Sequence, residues 1–220
     1  MEKLVAGSAP DPEYQQLYEL QDRVLHTVFA VEQEFYLTGG TCLSRFHQAK
    51  RYSDDLDFFC NDSPRYAFAV RSIRAELEKS LQLTAVIETR GFTRFQIENT
   101  LQVDFLNDIP YRHGEPVVTE DGYLIDTVEN ILANKLTAVL GRDNPKDIFD
   151  LLLIHSHYTV SWPDILDAAH NKAGFSNDEL IVRIQTFPRH MLNQINCIDC
   201  AFLDNFQDDI AAVIASILHA

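Results

Sequence analysis

Arg51-Tyr52-Ser53-Asp54-Asp55-Leu56-Asp57-Phe58-Phe59 is the stretch on which the reading of this chain turns. A strand over 56–60 alternates its side chains, so Leu56 and Phe58 point one way while Asp55 and Asp57 point the other. Two ionised carboxylates at that spacing repel, and a cation between them relieves the repulsion. A hard divalent ion such as Mg²⁺ does this while keeping coordination sites open for substrate phosphates. In isolation the same alternation also suits a plain strand with one face in water.

Working outward from that strand, Phe35-Tyr36-Leu37-Thr38 reads as a short strand that runs into Gly39-Gly40-Thr41, where a helix begins. Such a junction lets backbone N–H groups approach a phosphate closely, at the positive end of the helix dipole. Downstream, Leu101-Gln102-Val103-Asp104-Phe105 alternates again. Its apolar residues share one face, and Asp104 projects from the other. Were this strand to lie beside the Asp55–Asp57 strand, three carboxylates would meet on one patch of sheet. Two-metal phosphoryl transfer needs a patch of that kind.

The rest of the chain supplies the frame. Leu17, Leu20, Val24, Leu25, Val28 and Phe29 recur at helical spacing within 14–34,. Ser63-Pro64 predicts a helix start, with that helix running to about Lys79. Strand-like runs at 83–89, 92–98 and 101–106 are separated by turns at Gly91 and Asn99, which argues for an antiparallel or mixed sheet. After 123–125 the pattern is helical, with spans expected over 128–139, 146–155, 162–169, 178–193 and 205–218. The expectation is therefore an α+β fold: a mixed sheet flanked by helices over 1–126, followed by a C-terminal helical bundle over 127–220.

The chain has 18 Lys and Arg against 33 Asp and Glu, a formal charge of −15. That balance excludes a large nucleic-acid footprint, because phosphate binding needs clustered positive charge. His47, Lys50 and Arg51 form one short basic candidate. Glu2, Asp11 and Glu13 interrupt the start, so no leader is expected, and no run approaches the ~18 apolar residues of a membrane span. The expected compartment is the cytoplasm, with reduced thiols. Cys197-Ile-Asp-Cys200 lacks the second pair or histidines that a zinc site requires, and reads as two packed, unreactive cysteines. His155 and His157 face differently on a helix and do not suggest a shared metal.

Taken in order, Gly39-Gly40-Thr41, Arg-Tyr-Ser-Asp-Asp-Leu-Asp, Asn134-Lys135-Leu136-Thr137-Ala138 and Lys146-Asp147-Ile148-Phe149-Asp150-Leu151 resemble a known pattern. They resemble the nucleotidyltransferase superfamily typified by DNA polymerase beta, and within it the AbiEii/AbiGii toxin branch of type IV toxin–antitoxin systems. The resemblance runs from Phe35 to about Ile154. It implies a nucleotidyltransferase-like sheet, with the helical region after 126 completing a nucleotide cleft.

By position, the resemblance implies that Asp55, Asp57 and Asp104 hold Mg²⁺ or Mn²⁺. Gly39, Gly40 and Thr41 would contact nucleotide phosphates, and Ser53 would support the loop. Lys135 would neutralise triphosphate charge, and Lys146 with Asp147 would stand at the cleft. The implied reaction moves a nucleoside monophosphate from a nucleoside triphosphate to an acceptor hydroxyl. RNA (tRNA ends included), a protein or a small molecule such as an antibiotic stays open as acceptor. A cognate antitoxin is an implied partner, and a catalytically silent binding module with this fold is the alternative.

Overall fold

The computed structural model of the chain describes residues 11–220, so Glu2 lies outside them. Its elements run α1 (Pro12–Val31), β1 (Tyr36–Thr38), α2 (Gly39–Cys42), β2 (Asp55–Asn61), α3 (Tyr66–Leu77), β3 (Leu83–Glu88), β4 (Phe92–Ile97) and β5 (Leu101–Asp108). Two short strands follow, β6 (Val117–Val118) and β7 (Leu124–Ile125). The helices α4 (Val128–Gly141), α5 (Pro145–His157), α6 (Trp162–Lys172), α7 (Asn177–Gln185) and α8 (Phe206–His219) complete the chain. The α+β class expected from sequence is the class found.

Chain contacts divide the molecule into two units. The first comprises 1–49, 53–110 and 115–126, and the second 50–52, 111–114 and 127–220. The three residues 50–52, immediately before the Asp55–Asp57 strand, thus count with the helical unit.

In the first unit the strands form one mixed sheet in the order β3-β4-β5-β2-β1-β7-β6. β2 and β5 are parallel neighbours, while β3-β4-β5 is an antiparallel meander. Strand parity then sorts the residues. Leu56, Phe58, Val103 and Phe105 are fully buried on one face, where Phe58 and Phe105 stack at 5.1 Å. Phe29 of α1 meets Phe58 edge-on at 5.8 Å, and the Tyr66 hydroxyl of α3 donates to the Phe105 carbonyl at 3.0 Å. Two helices therefore cover the apolar face, and the carboxylates are left on the opposite one.

Local chemistry explains most boundaries. Asp11 accepts from the Glu13 N–H at 2.8 Å and Pro12 opens α1, the pairing expected of an N-cap and a first-turn proline. Ser176 and Glu179 close a capping box on α7,. Two expected helices differ. Ser63 caps a turn, its Oγ accepting from the Arg65 N–H at 3.0 Å, and the helix itself starts at Tyr66. The helix expected over 178–193 ends at Gln185, because Pro188 cannot continue it, and a 3₁₀ turn takes Arg189–Gln194,.

Candidate functional site

The register of the sheet builds the candidate site. Asp55 pairs with Gln102 and Asp57 with Asp104 across the parallel β2–β5 pair. In-register neighbours point the same way, so Asp55, Asp57 and Asp104 project from one face. Asp55 and Asp57 are half-buried, with buried Leu56 and Phe58 alternating between them.

The glycine elbow lies against this face. Gly39 has φ +70°, and a Cβ built there would stand 2.5 Å from Asp57 Oδ2. Only glycine takes that conformation without cost and lets the chain pass so close to a carboxylate. Gly39→Ala is expected to cost about 1–3 kcal/mol of stability, read by urea unfolding. An unchanged midpoint would mean that the elbow has room to move.

Three further contacts hold the elbow. The Thr41 hydroxyl donates to the Asp55 carbonyl, so this side chain positions β2. The Thr38 hydroxyl donates to Asp126 Oδ2 at 2.5 Å, and the Asp126 N–H donates to the Leu37 carbonyl at 2.8 Å. Asp126 is fully buried. It joins the end of β7 to the start of the elbow, a role invisible in sequence because 88 residues separate it from Thr38.

Ser53 is fixed by α1. Its N–H donates to the Tyr18 hydroxyl at 3.2 Å, and its carbonyl accepts from Gln21 Nε2 at 3.1 Å. Asp54 accepts from the Tyr14 hydroxyl at 2.8 Å. The approach to Asp55 is therefore held by three side chains of one helix.

Asp104 has a partner that the sequence reading missed. Arg94, its cross-strand neighbour in β4, donates through Nε to Oδ1 at 2.8 Å and through Nη2 to Oδ2 at 2.6 Å. The hydrogen bond to Asp104 comes first among the causes that raise the Arg94 pKa. Burial pulls the other way, and the fields of Asp104, Asp57 and Asp55 add to the rise. A signal was available: a hairpin closing at Glu98-Asn99 pairs Ile97 with Leu101 and so Arg94 with Asp104.

The second unit holds a separate buried ion network. Lys135 Nζ lies 2.9 Å from Asp147 Oδ1 and 2.7 Å from Asp150 Oδ2, with its side chain 10% exposed. Arg51 binds both oxygens of Asp150, at 2.7 and 2.8 Å, and Arg142 binds both of Asp147, at 2.7 and 3.0 Å. Burial opposes each charge. For Lys135 the fields of Asp150 and Asp147 outweigh burial and raise its pKa. For Asp150 the charges of Arg51 and Lys135 outweigh it and lower the pKa.

Asp147 thus orients Lys135 and Arg142. Asp150, which the sequence analysis assigned no role, carries the centre of the network. Lys146 begins α5 next to the Asn144 cap, which accepts from its N–H at 3.0 Å.

Two expectations are corrected. The basic candidate His47, Lys50 and Arg51 does not form a surface patch. Arg51 is 2% exposed on Asp150, Lys50 pairs with Asp199 at 2.6 Å, and His47 hydrogen-bonds the Asp126 carbonyl at 2.8 Å. Nor are Cys197 and Cys200 packed in the core: both are half-buried and lie against each other, with Cα atoms 5.9 Å apart. The reason is local: an antiparallel bridge from Arg51 to Cys197, with the Ile198 and Asp199 N–H groups on the Lys50 carbonyl, keeps this stretch out of a helix. Cys60 is a buried core thiol, and burial pushes its pKa up to about 12.

Among the described residues no three Asp, Glu, His or Cys side chains close into a metal-holding cluster. The acid face nevertheless carries the right donors, hard carboxylate oxygens on two adjacent strands beside a glycine turn. Asp104, one of these donors, is turned onto Arg94. Among the described residues, too, no helix is long and apolar enough to cross a membrane.

Comparison with known proteins bears on the family and the fold. The family model described as nucleotidyl transferase AbiEii toxin, type IV TA system, matches residues 23–199. Among solved structures, JHP933 from Helicobacter pylori is similar with a TM-score of 0.61 at 18% identity, covering 96% of this chain and 93% of that one. MenT4, the nucleotidyltransferase toxin Rv2826c of Mycobacterium tuberculosis H37Rv, is similar with a TM-score of 0.63 at 15% identity, covering 98% and 87%. At these identities the likeness concerns the fold. No curated protein matches the sequence.

Proposed function

This chain belongs to the AbiEii family of nucleotidyltransferase toxins, and from that premise we propose that it transfers a nucleoside monophosphate from a nucleoside triphosphate to an acceptor hydroxyl, with release of pyrophosphate. The observation that carries the proposal is the in-register placing of Asp57 beside Asp104, with the Gly39 elbow against Asp57.

In this reading Asp55, Asp57 and Asp104 are the carboxylates for divalent Mg²⁺ or Mn²⁺. When bound, such ions neutralise the polyphosphate and lower the pKa of the attacking hydroxyl. The chain's own part is positioning. Gly39 and Gly40 offer backbone N–H groups to the triphosphate, Ser53 holds the approach to Asp55, and Asp126 and Thr41 keep elbow and strand in register. Lys135 is assigned to triphosphate charge. Two of its three N–H donors are taken by Asp147 and Asp150, which hold the ammonium protonated and fixed as a point charge,. Lys146 is assigned a supporting contact to the nucleotide, and Asp147 acts through Lys135. The −15 charge favours an acceptor gripped over a short stretch, such as an RNA end,. As a member of a type IV toxin–antitoxin family, the chain is assigned a cognate antitoxin as partner and the cytoplasm as its compartment.

The test is label transfer from each of the four nucleoside triphosphates into total cellular RNA, protein and small-molecule fractions, with divalent ion present or chelated. Incorporation that needs the ion is expected in one fraction, and chelation should lower it to background. Incorporation unaffected by chelation, or no binding of any triphosphate with Mg²⁺, would sink the proposal.

A further inference from the structure

Arg94 stands on the acid face, one strand beyond Asp104, and its guanidinium engages both oxygens of that carboxylate. Gln102 Nε2 adds a third hydrogen bond, to Oδ2 at 3.2 Å. The pair is well shielded: the Asp104 side chain is 10% exposed and that of Arg94 32%. The guanidinium carbon lies 5.5 Å from the centre of the Phe92 ring, two residues back on the same face of β4. A two-pronged arginine–carboxylate contact of this kind is among the stronger charged hydrogen bonds.

On its other side Asp104 is the register partner of Asp57, and the fields of Asp57 and Asp55 both act on Arg94. The guanidinium therefore occupies the oxygens through which Asp104 would share an ion with Asp57. A divalent ion placed there would lie beside a fixed positive charge, on a carboxylate of whose roughly four lone-pair sites Arg94 and Gln102 already use three,. Charge repulsion and crowding both set the arginine against the ion.

We infer that Arg94 is a tethered counter-cation that competes with the divalent ion for Asp104, so that full ion binding requires the arginine to leave that carboxylate. The inference rests on the proposed ion-binding role of Asp55 and Asp57. It offsets one of the three carboxylate charges when no ion is bound, and it sets ion affinity lower than the three acids alone would give. Once released, the guanidinium stays anchored on the same face, where an anionic group of the substrate can take it in exchange. Arg94 is in this sense a positioning residue for Asp104.

The test is Mn²⁺ titration of the full chain without nucleotide, followed by the electron paramagnetic resonance of unbound ion. Arg94→Gln is expected to bind Mn²⁺ about tenfold tighter than the native chain, the lower end of what one charge at this range does to a protonation equilibrium. Arg94→Lys should fall between, since lysine keeps the charge but cannot cover both oxygens. In an Asp104→Asn background the gain from Arg94→Gln should largely vanish. Unchanged or weaker binding by Arg94→Gln, or a gain that persists in full without the Asp104 charge, overturns the inference. If Arg94→Gln does not fold, as judged by circular dichroism, Arg94→Lys decides in the same way, tighter binding supporting and unchanged binding overturning. A native chain whose Mn²⁺ binding survives Asp57→Asn overturns the ion-binding role itself, and that result is distinct from a failure at Arg94.

Discussion

Asp57→Asn is expected to abolish nucleotide transfer, with kcat lowered by at least about 10³-fold, while the protein stays folded. The magnitude follows from the electrostatic burden of the reaction: losing a single well-placed group that stabilises developing charge already costs about 10²–10³-fold in other enzymes. Asp57 also sits at the crossing of the site, paired in register with Asp104 and touched by the Gly39 elbow. The effect on stability should be small. Asp57 shares its face with Asp55, Asp104 and Arg94, so relief of like-charge repulsion and loss of attraction to the guanidinium oppose each other when Asp57 is neutralised,. The two readouts are single-turnover transfer kinetics and urea unfolding in chelator. Transfer at the native rate would remove Asp57 from the reaction. A collapse of stability would make it a structural residue.

The largest effect on stability is expected at Asp150. Asp150→Ala should lose about 3–5 kcal/mol, because it leaves the buried Arg51 and Lys135 charges uncompensated. Total stability of a domain is commonly only about 5–15 kcal/mol, so this one change can leave the helical unit largely unfolded at ambient temperature. Asp150→Asn keeps the shape and should lose less.

The contribution is also pH-dependent, and its sign is fixed by the direction of the shift. Asp150 is held below its ordinary 3.8, at about 2, in the fold. The unfolded chain therefore takes up the proton first as pH falls. The stabilisation is complete above the ordinary value and drains away between about 4 and about 2. Lys135, whose pKa is raised from 10.5, behaves oppositely: its share is complete below that value and is lost as pH climbs past the folded pKa,. The stability gap between the native chain and Asp150→Asn, measured by urea unfolding, should therefore narrow from pH 5 to pH 2. A gap constant over that range would show that Asp150 is not held ionised by Arg51 and Lys135.

Parts of the site were legible because they rest on local rules. Period-two alternation put Asp55 and Asp57 on one face and Leu56 and Phe58 on the other, and the strand shows that burial pattern. The Gly39-Gly40 elbow was recognisable because a strand-to-helix turn with close backbone approach calls for glycine, and Gly39 has the positive φ that requires it. The meander β3-β4-β5 was signalled by its turns.

Other parts could not be read locally. Nothing near Asp104 in sequence says that its strand lies parallel to β2, since that pairing is a long-range crossover. The binding of Arg51 to Asp150 spans 99 residues. It converts what looked like part of a surface basic cluster into a buried ion pair. The same is true of Asp126, whose contact with Thr38 appears only when β7 is laid beside β1. The non-helical course of the chain at Cys197–Cys200 likewise involves hydrogen bonds to distant Lys50 and Arg51.

What the sequence determined by itself was the class of fold, the identity of the acids and the place of the glycine turn, because alternation, turn chemistry and capping act over a few residues. What only the tertiary structure decided was which charges meet. The parallel pairing of β2 with β5 brings Asp57 beside Asp104, and helix packing brings Arg51 with Lys135 onto Asp150. Such pairings depend on distances through space that no spacing along the chain encodes.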